Sequence, residues 1–398
     1  MDSHQYQQHT SYEFLAAAGV QKSCTIQSEK DLYLLDPFLN KGVWQFGHIS
    51  YEAISNGVSS QHAADAIQFP LLFFYQPQII ITCKNQELEI FAENADEIYH
   101  QILNTTLGKE YSPSSKAASP LVQVFDKNAY MGIIQQLQQH IHRGDCYEIN
   151  FCQKFFIESI DIDIFKLYKS LTHISPNPQT CLYKVDDAVL ICASPERFIK
   201  KEKRKIISQP IKGTLAKKAH SGEALIQEQN ELLNSEKDRA ENIMVVDLVR
   251  NDLSKVSIPG TVKVEELFGI YSFPQVHQMI TTIAGELKSD VSFSEILKSL
   301  FPMGSMTGAP KKKVMELIQK YETYQRGIFS GTVGYMSPDG DFDFNVVIRS
   351  ILYNTQSKYL TFYAGSGITA YSDAEKEWEE CQLKAEAILK VLGMELPN

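Results

Sequence analysis

Between residues 189 and 214 the sequence reads VLICASPERFIKKEKRKIISQPIKGT, a stretch that admits little besides antiparallel β structure. Two runs, RFIK (197–200) and KIIS (205–208), flank charged residues that suit a tight turn. Pairing them about a tip near 202 and 203 sets position 196 opposite position 209, with Lys212 three residues farther along. At about 3.3 Å per residue, the Glu196 carboxylate and the Lys212 amine then share the open end of one hairpin, within roughly 10 Å. A Pro-Ile step precedes Lys212 and Gly213 follows it, so the lysine is expected where a strand ends and the backbone turns. Locally, the pair reads first as a salt bridge closing a sheet edge, with a reactive acid and amine as the alternative.

The same alternation extends along the chain. LLFFY (71–75), IIIT (79–82) and ELEIFA (87–92) resemble a meander, and GKEYSPSSKAASP (108–120) reads as a linker. It divides a β-rich part, 1–118, from a larger part, 119–398. Beyond it Asp126 is placed to cap a helix with Tyr130, Ile133, Ile134, Leu137 and Ile141 at helical spacing, and CYEINFCQKFF (146–156) reads as a strand. Helices then alternate with antiparallel strand pairs to the end.

Two helices carry charged groups beside their apolar faces. In NSEKDRAENIMVVDLVRNDL, Asn234 or Ser235 is the expected cap, Ala240, Met244 and Leu248 form an apolar row, and Asp238 and Glu241 stand one turn apart. Near the end, Ser372 and Glu375 form a capping-box pattern for a helix with the stripe Trp378, Cys381, Ala385, Ile388 and Leu392. Glu377, Glu380 and Lys384 flank that stripe. Carboxylates one turn apart at a core border suit a hard divalent cation such as magnesium, although the helix taken alone reads first as a solvated flank with a Glu380–Lys384 pair. In YAGSGITA (363–370) the amides around Gly365 and Gly367 are candidates for a carboxylate nest. PMGSMTGAPKKK (302–313) lacks the spacing of a phosphate loop, which removes nucleotide binding but leaves Thr307 as a candidate lining residue.

Composition excludes other classes. With 398 residues, 43% hydrophobic and 22% charged, the chain is that of a globular protein able to bury a pocket. A net charge of -10 opposes a nucleic-acid partner, and the basic runs KKEKRK (200–205) and KKK (311–313) read as solvated hairpin tips or helix ends. Seven cysteines without paired CxxC spacing point to free thiols and a cytoplasmic location. No signal peptide is evident, and no apolar run approaches the ~18 residues of a membrane span.

Together GDCYEINFCQKF, ASPERF, QPIKGT, KDRAENIMVVDLVRNDL, GSMTGAPKKKVMELI, RGIFSGTVGY, DFNVVIRS and AGSGITAYSDAEKEWEECQLKA resemble, in order, the motifs of the chorismate-utilizing enzymes. The resemblance covers roughly residues 120–390. It implies an α+β fold of two orthogonally packed antiparallel sheets flanked by helices, with chorismate and magnesium in a cleft. It implies Glu241 and Glu380 as magnesium ligands, with Glu377 nearby, and Tyr335 and Arg349 on the enolpyruvyl carboxylate. Gly213, Thr214, Thr307, Gly365, Gly367 and Lys384 match positions around the substrate. His277 matches an active-site histidine, and Glu196 the acid that protonates the departing C4 oxygen.

Lys212 implies a choice within that family. Anthranilate synthases usually carry a small residue in the corresponding P-I-x-G-T, whereas aminodeoxychorismate synthases carry lysine, an amine able to attack C2 as the C4 hydroxyl leaves. Ammonia then resolves the adduct at C4. Isochorismate-type relatives place a water-activating lysine where this chain has Glu148, and aminodeoxychorismate synthases often have glutamine there. No segment resembles a glutamine amidotransferase, so glutamine-derived ammonia is expected from a partner subunit. The longer amino-terminal part in which relatives bind tryptophan has no counterpart, so feedback by tryptophan is not expected.

Overall fold

The computed structural model describes residues 1–4, 6, 10–39, 42–58, 62, 65–105, 115–219 and 221–396. Two large antiparallel sheets dominate it. One has seven strands, with Gln179–Val185, Ala188–Ser194, Ser350–Asn354, Leu360–Ile368, Glu148–Ile157 and Gly308–Ala309 side by side and Val122–Gln123 on the same 148–157 strand. The other has ten, running from Ile211–Ala216 through Val276–Glu286, Lys205–Gln209, Arg197–Glu202, Phe342–Asn345 and Thr332–Met336 to the amino-terminal strands Gln45–Ile49, Leu72–Gln76 and Lys22–Ile26, with Lys263–Ser272 also paired to the 276–286 strand. With helices on the outer faces, this is the expected α+β class.

The strand Ala188–Ser194 shows why its sequence is apolar throughout. Ala188, Leu190 and Cys192 face the core shared with the ten-stranded sheet, while Val189, Ile191 and Ala193 face a second core. That second core is closed by Tyr130, Ile134 and Leu137 of helix Lys127–His142 and by Cys381, Ala385 and Ile388 of helix Ala374–Leu392. A strand buried on both faces has no solvent side to make polar. All seven cysteines are free thiols, and no described helix is long and apolar enough to cross a membrane.

Several expectations are corrected. The hairpin pairs Arg197 with Gln209 and Glu202 with Lys205, because its tip lies at Lys203 and Arg204 and a bulge falls between Arg197 and Lys200. Lys212 does not end a strand: it belongs to Ile211–Ala216, which pairs with Val276–Glu286. The meander is split, since Leu72–Gln76 joins the ten-stranded sheet while Ile79–Lys84 pairs with Phe14–Ala18 and Glu87–Phe91. Pro77 stands at the point of departure. Helix Glu236–Val256 is capped by Ser235, but its buried face is Asn242, Val245, Val246, Val249, Asp252 and Leu253 rather than the Ala240–Met244–Leu248 row. Asp373, not Ser372, caps helix Ala374–Leu392, and the Ser372 hydroxyl instead accepts from the Thr369 amide. The basic runs are not wholly solvated: Lys200 is buried against Glu202, and Lys311 pairs with buried Asp252 at 2.7 Å. Most of the expected linker, 108–114, lies outside the described residues.

One ion pair ties together the elements beneath the site. Arg326, 1% exposed, donates to both Glu322 oxygens at 2.8 and 2.6 Å, to the Met306 carbonyl at 2.8 Å and to the Asn150 carbonyl at 2.9 Å. Glu322 also accepts from the Cys152 amide at 2.9 Å. This one fork therefore fixes strand Glu148–Ile157 against the 304–307 turn. Arg326→Met is expected to lower unfolding stability by about 3–5 kcal/mol because it strands the Glu322 carboxylate, while adding Glu322→Leu recovers part of the loss. Urea unfolding checks this, and a single-variant loss below about 1 kcal/mol would contradict it.

Candidate active site

The site lies where the two sheets face each other. Lys212, from the ten-stranded sheet, donates to the Glu148 carboxylate of the seven-stranded sheet in a short contact, and both side chains are buried. Two glycines permit this approach. A Cβ on Gly367 would stand 2.7 Å from both the Glu148 Oε1 and the Lys212 Nζ, so only bare backbone fits over the pair. Gly213 has φ of +94° at the bulge beside Lys212, and a Cβ there would meet the Asp238 Cβ at 3.0 Å. Burial works to lower the Lys212 pKa, but Glu148, Glu241 and Glu196 outweigh it and the net shift is upward.

Glu196 sits in the connection between strands Ala188–Ser194 and Arg197–Glu202 and is 4% exposed. Burial raises its pKa to about 7, against smaller opposing effects of the Ser305 hydroxyl, the Lys212 charge and the Ile211 amide. Near neutrality it therefore carries a proton for part of the time, as a general acid requires. A cavity of about 20 Å³, lined by Ser208, Asp252 and Ser305 among others, adjoins Glu196 and has room for one water.

Opposite stands a group of carboxylates and cations. Glu377 is buried and, among the described residues, its Oε2 has no hydrogen-bond partner, nor has Oε1 of Glu241. The Lys237 ammonium lies 3.8 Å from Glu241 and 3.8 Å from Glu377, on a side chain more than half exposed. Burial raises Glu241 to about 7. Glu380, where burial acts upward, is nevertheless held below its ordinary value by Lys384, whose amine bonds Glu380 at 2.7 Å and the Gly365 carbonyl at 2.8 Å. Among the described residues no three His, Cys, Asp or Glu side chains could hold a metal ion by themselves. Orphaned oxygens on two facing helices, with a lysine head between them, nonetheless fit a cation that takes few protein ligands and keeps waters. Arg349, held at φ of +52° and half-buried, makes no side-chain hydrogen bond or ion pair among the described residues, and burial lowers its pKa against the smaller opposing effect of the Glu380 charge. An unpaired guanidinium in such surroundings is suited to an incoming carboxylate.

Not every candidate joins this group. Tyr335 packs edge-on or tilted against Tyr12, Trp44 and Phe46, a cluster containing no other candidate residue. Among the described residues its ring makes no cation–π contact with Arg349, with which the resemblance groups it. His277 is fully buried, its Nδ1 paired with the Ser272 hydroxyl at 2.8 Å and its Nε2 with Glu228 at 3.2 Å. Thr214 is exposed, opposite Gln278. The Thr307 hydroxyl donates to the Met303 carbonyl at 3.0 Å, closing its own turn, while its carbonyl accepts from the Asn150 amide. Gly365 serves strand contact, since a Cβ there would lie 2.4 Å from the Phe151 carbonyl oxygen. Sequence reasoning missed Ser305 and Lys237. The first shares a turn with Thr307, and the second precedes Glu241 by one helical turn, a legible signal. A larger cleft of about 730 Å³, bordered by Tyr51, Glu52, Met315, Tyr324 and Arg326, contains none of the candidates.

The chain matches the family model for chorismate binding enzymes over residues 3–390. It is 39% identical over 258 residues to aminodeoxychorismate synthase component 1 of Salmonella typhimurium, covering 65% of this chain and 56% of that protein's length. It is 33% identical over 367 residues to anthranilate synthase component 1 of Saccharolobus solfataricus, covering 92% and 84%. The crystal structure of anthranilate synthase component I from Streptococcus pneumoniae superposes with a TM-score of 0.81 at 21% identity, covering 96% of this chain and 95% of that one, which speaks to fold alone. The protein is an enzyme of the chorismate-binding family, to which the whole described site and both sheets belong.

Proposed function

We propose that this chain aminates chorismate at C4 and leaves the enolpyruvyl ether on the ring, giving 4-amino-4-deoxychorismate as the first component of an aminodeoxychorismate synthase. The observation that carries this reading is Lys212, a buried amine held on a carboxylate within reach of the influence of Glu196. Its lone pair, once free, forms a bond to C2. The ring double bonds shift, the C4–O bond breaks, and Glu196 gives its proton to the oxygen, which departs as water. Ammonia then attacks C4, the double bonds shift back, and Lys212 leaves with its electron pair. Arg349, Lys384 and the amides around Gly365 and Gly367 hold the acidic groups of the dianion. Glu241, Glu377 and Glu380 would hold magnesium, which when bound supplies positive charge toward an anionic substrate group.

A second reading is favoured by the longer match to anthranilate synthase, 92% of this chain. In that case ammonia attacks C2 itself, pyruvate is eliminated, and Lys212 is only a counter-ion. Adduct formation separates the two. Given chorismate and magnesium without ammonia, the peptide containing Lys212 is expected to gain the mass of chorismate less water, and Lys212→Ala protein to show no such species. Adduct formation in the native chain should fall tenfold per pH unit above about 7 as Glu196 loses its proton. Glu196→Gln should be slower by about 10²-fold or more and lack that limb. Absence of any adduct on the native chain would defeat the reading.

The nitrogen source is proposed to be a glutamine amidotransferase subunit, in keeping with the component naming of the relatives. The purified chain is expected to turn over with ammonium salts and to use glutamine only after an amidotransferase is added. Glutamine-dependent turnover by the purified chain alone would contradict this.

A further inference from the structure

We propose that Glu148 is the base that takes the proton of Lys212 before attack, keeps it while the lysine is bound to C2, and returns it when the amine departs. This rests on the reading of Lys212 as the nucleophile. That reading needs a neutral amine, yet the surrounding carboxylates favour the ammonium form, whose reference pKa is already ~10.4. A proton acceptor is therefore required at the nitrogen, and the geometry supplies one.

Glu148 is the hydrogen-bond partner of the Lys212 amine, with side-chain exposures of 3% for the acid and 10% for the lysine. Bulk water has little access, so a proton leaving Nζ has a direct route to the carboxylate in contact with it. Nothing comes between them, because the residue lying over both is Gly367. The other acids are engaged differently. Glu196, from the 194–197 connection, must itself donate a proton, while Glu241, from helix Glu236–Val256, acts on Lys212 through its charge. From helix Ala374–Leu392, Glu380 is paired with Lys384, and Glu377 faces Lys237.

Charge conservation in a buried site points the same way. If the ammonium simply left Glu148 to reach the substrate, an unpaired carboxylate would remain in a site that solvent scarcely enters, which is costly. Transfer within the pair avoids this. The N–H bond breaks, an O–H bond forms on Glu148, and the two charges of the pair vanish together; the freed lone pair then makes the N–C2 bond, and the positive charge that this returns to the nitrogen is balanced by the Glu196 carboxylate left when the C4 oxygen takes its proton. When ammonia has formed the C4–N bond and the C2–N bond has broken, the neutral amine recovers its proton from Glu148. The Glu196 carboxylate recovers its own from the new C4 ammonium group. Every proton is accounted for, and no outside acid or base is needed.

The test is the pH dependence of adduct formation on Lys212, measured with chorismate and magnesium but without ammonia. In the native chain the pair Glu148⁻/Lys212⁺ and its neutral tautomer contain the same number of protons, so the pair adds no pH dependence between its two ionisations. Glu148→Gln keeps the shape and the hydrogen bond but cannot take a proton, so solvent must deprotonate the lysine. Its rate is expected to gain one extra factor of ten per pH unit relative to the native chain, across pH 6 to 9. Glu148→Asp, which keeps a carboxylate, should retain the native profile at a lower rate and shows that the effect is not one of misfolding. Parallel profiles for the native chain and Glu148→Gln would overturn the role of Glu148 while leaving Lys212 as nucleophile. No adduct in the native chain would overturn both.

Discussion

The contact between Lys212 and Glu148 is the constraint on which the rest of the site depends. It joins the two sheets, one residue from each, at a place where neither charge is solvated. A buried pair of this kind persists only if its geometry is held, because loss of either partner strands the other. The surroundings supply that hold. Gly367 offers backbone with no side chain above the pair, Gly213 lets the lysine strand bulge beside Asp238, and the Arg326–Glu322 fork fixes the strand that carries Glu148 through Asn150 and Cys152.

Around the pair the charges are arranged in tension. Burial lifts Glu196 and Glu241 toward neutrality, while Lys384 holds Glu380 ionised and Lys237 lies between Glu241 and Glu377. Arg349 remains uncommitted. An acid that carries its proton near pH 7, an amine beside an acceptor and an unpaired guanidinium together suit the departure of a hydroxyl from a dianionic ring. Two carboxylate oxygens lack donors among the described residues, and the Lys237 ammonium lies 3.8 Å from each of their side chains.

Much of this is legible in the sequence. The 146–156 strand, the Asp126 cap and the hairpin follow from residue pattern, and the order of the motifs, through the family they resemble, carries the fold class. What the pattern misses has physical causes. A single bulge moves the hairpin register, because alternation alone does not count an extra residue. Glu377 reads as a flank, since an apolar stripe reveals where hydrophobic groups go and says nothing of a carboxylate buried among charges. Tyr335 matches a ligand position and packs into an aromatic cluster, because a strand on which every residue is buried gives no hint of which face holds the substrate. Ser305 and Lys237 act through three-dimensional neighbours, which spacing shows only in part.

The central claim is that an amine on the protein, not ammonia, makes the first attack, so that nitrogen ends at C4 and the ring keeps its pyruvyl ether. The most direct measurement is the mass of the product formed by the purified chain from chorismate, ammonium and magnesium. The account predicts an amino product that retains the enolpyruvyl group, 4-amino-4-deoxychorismate. Anthranilate accompanied by free pyruvate would contradict it.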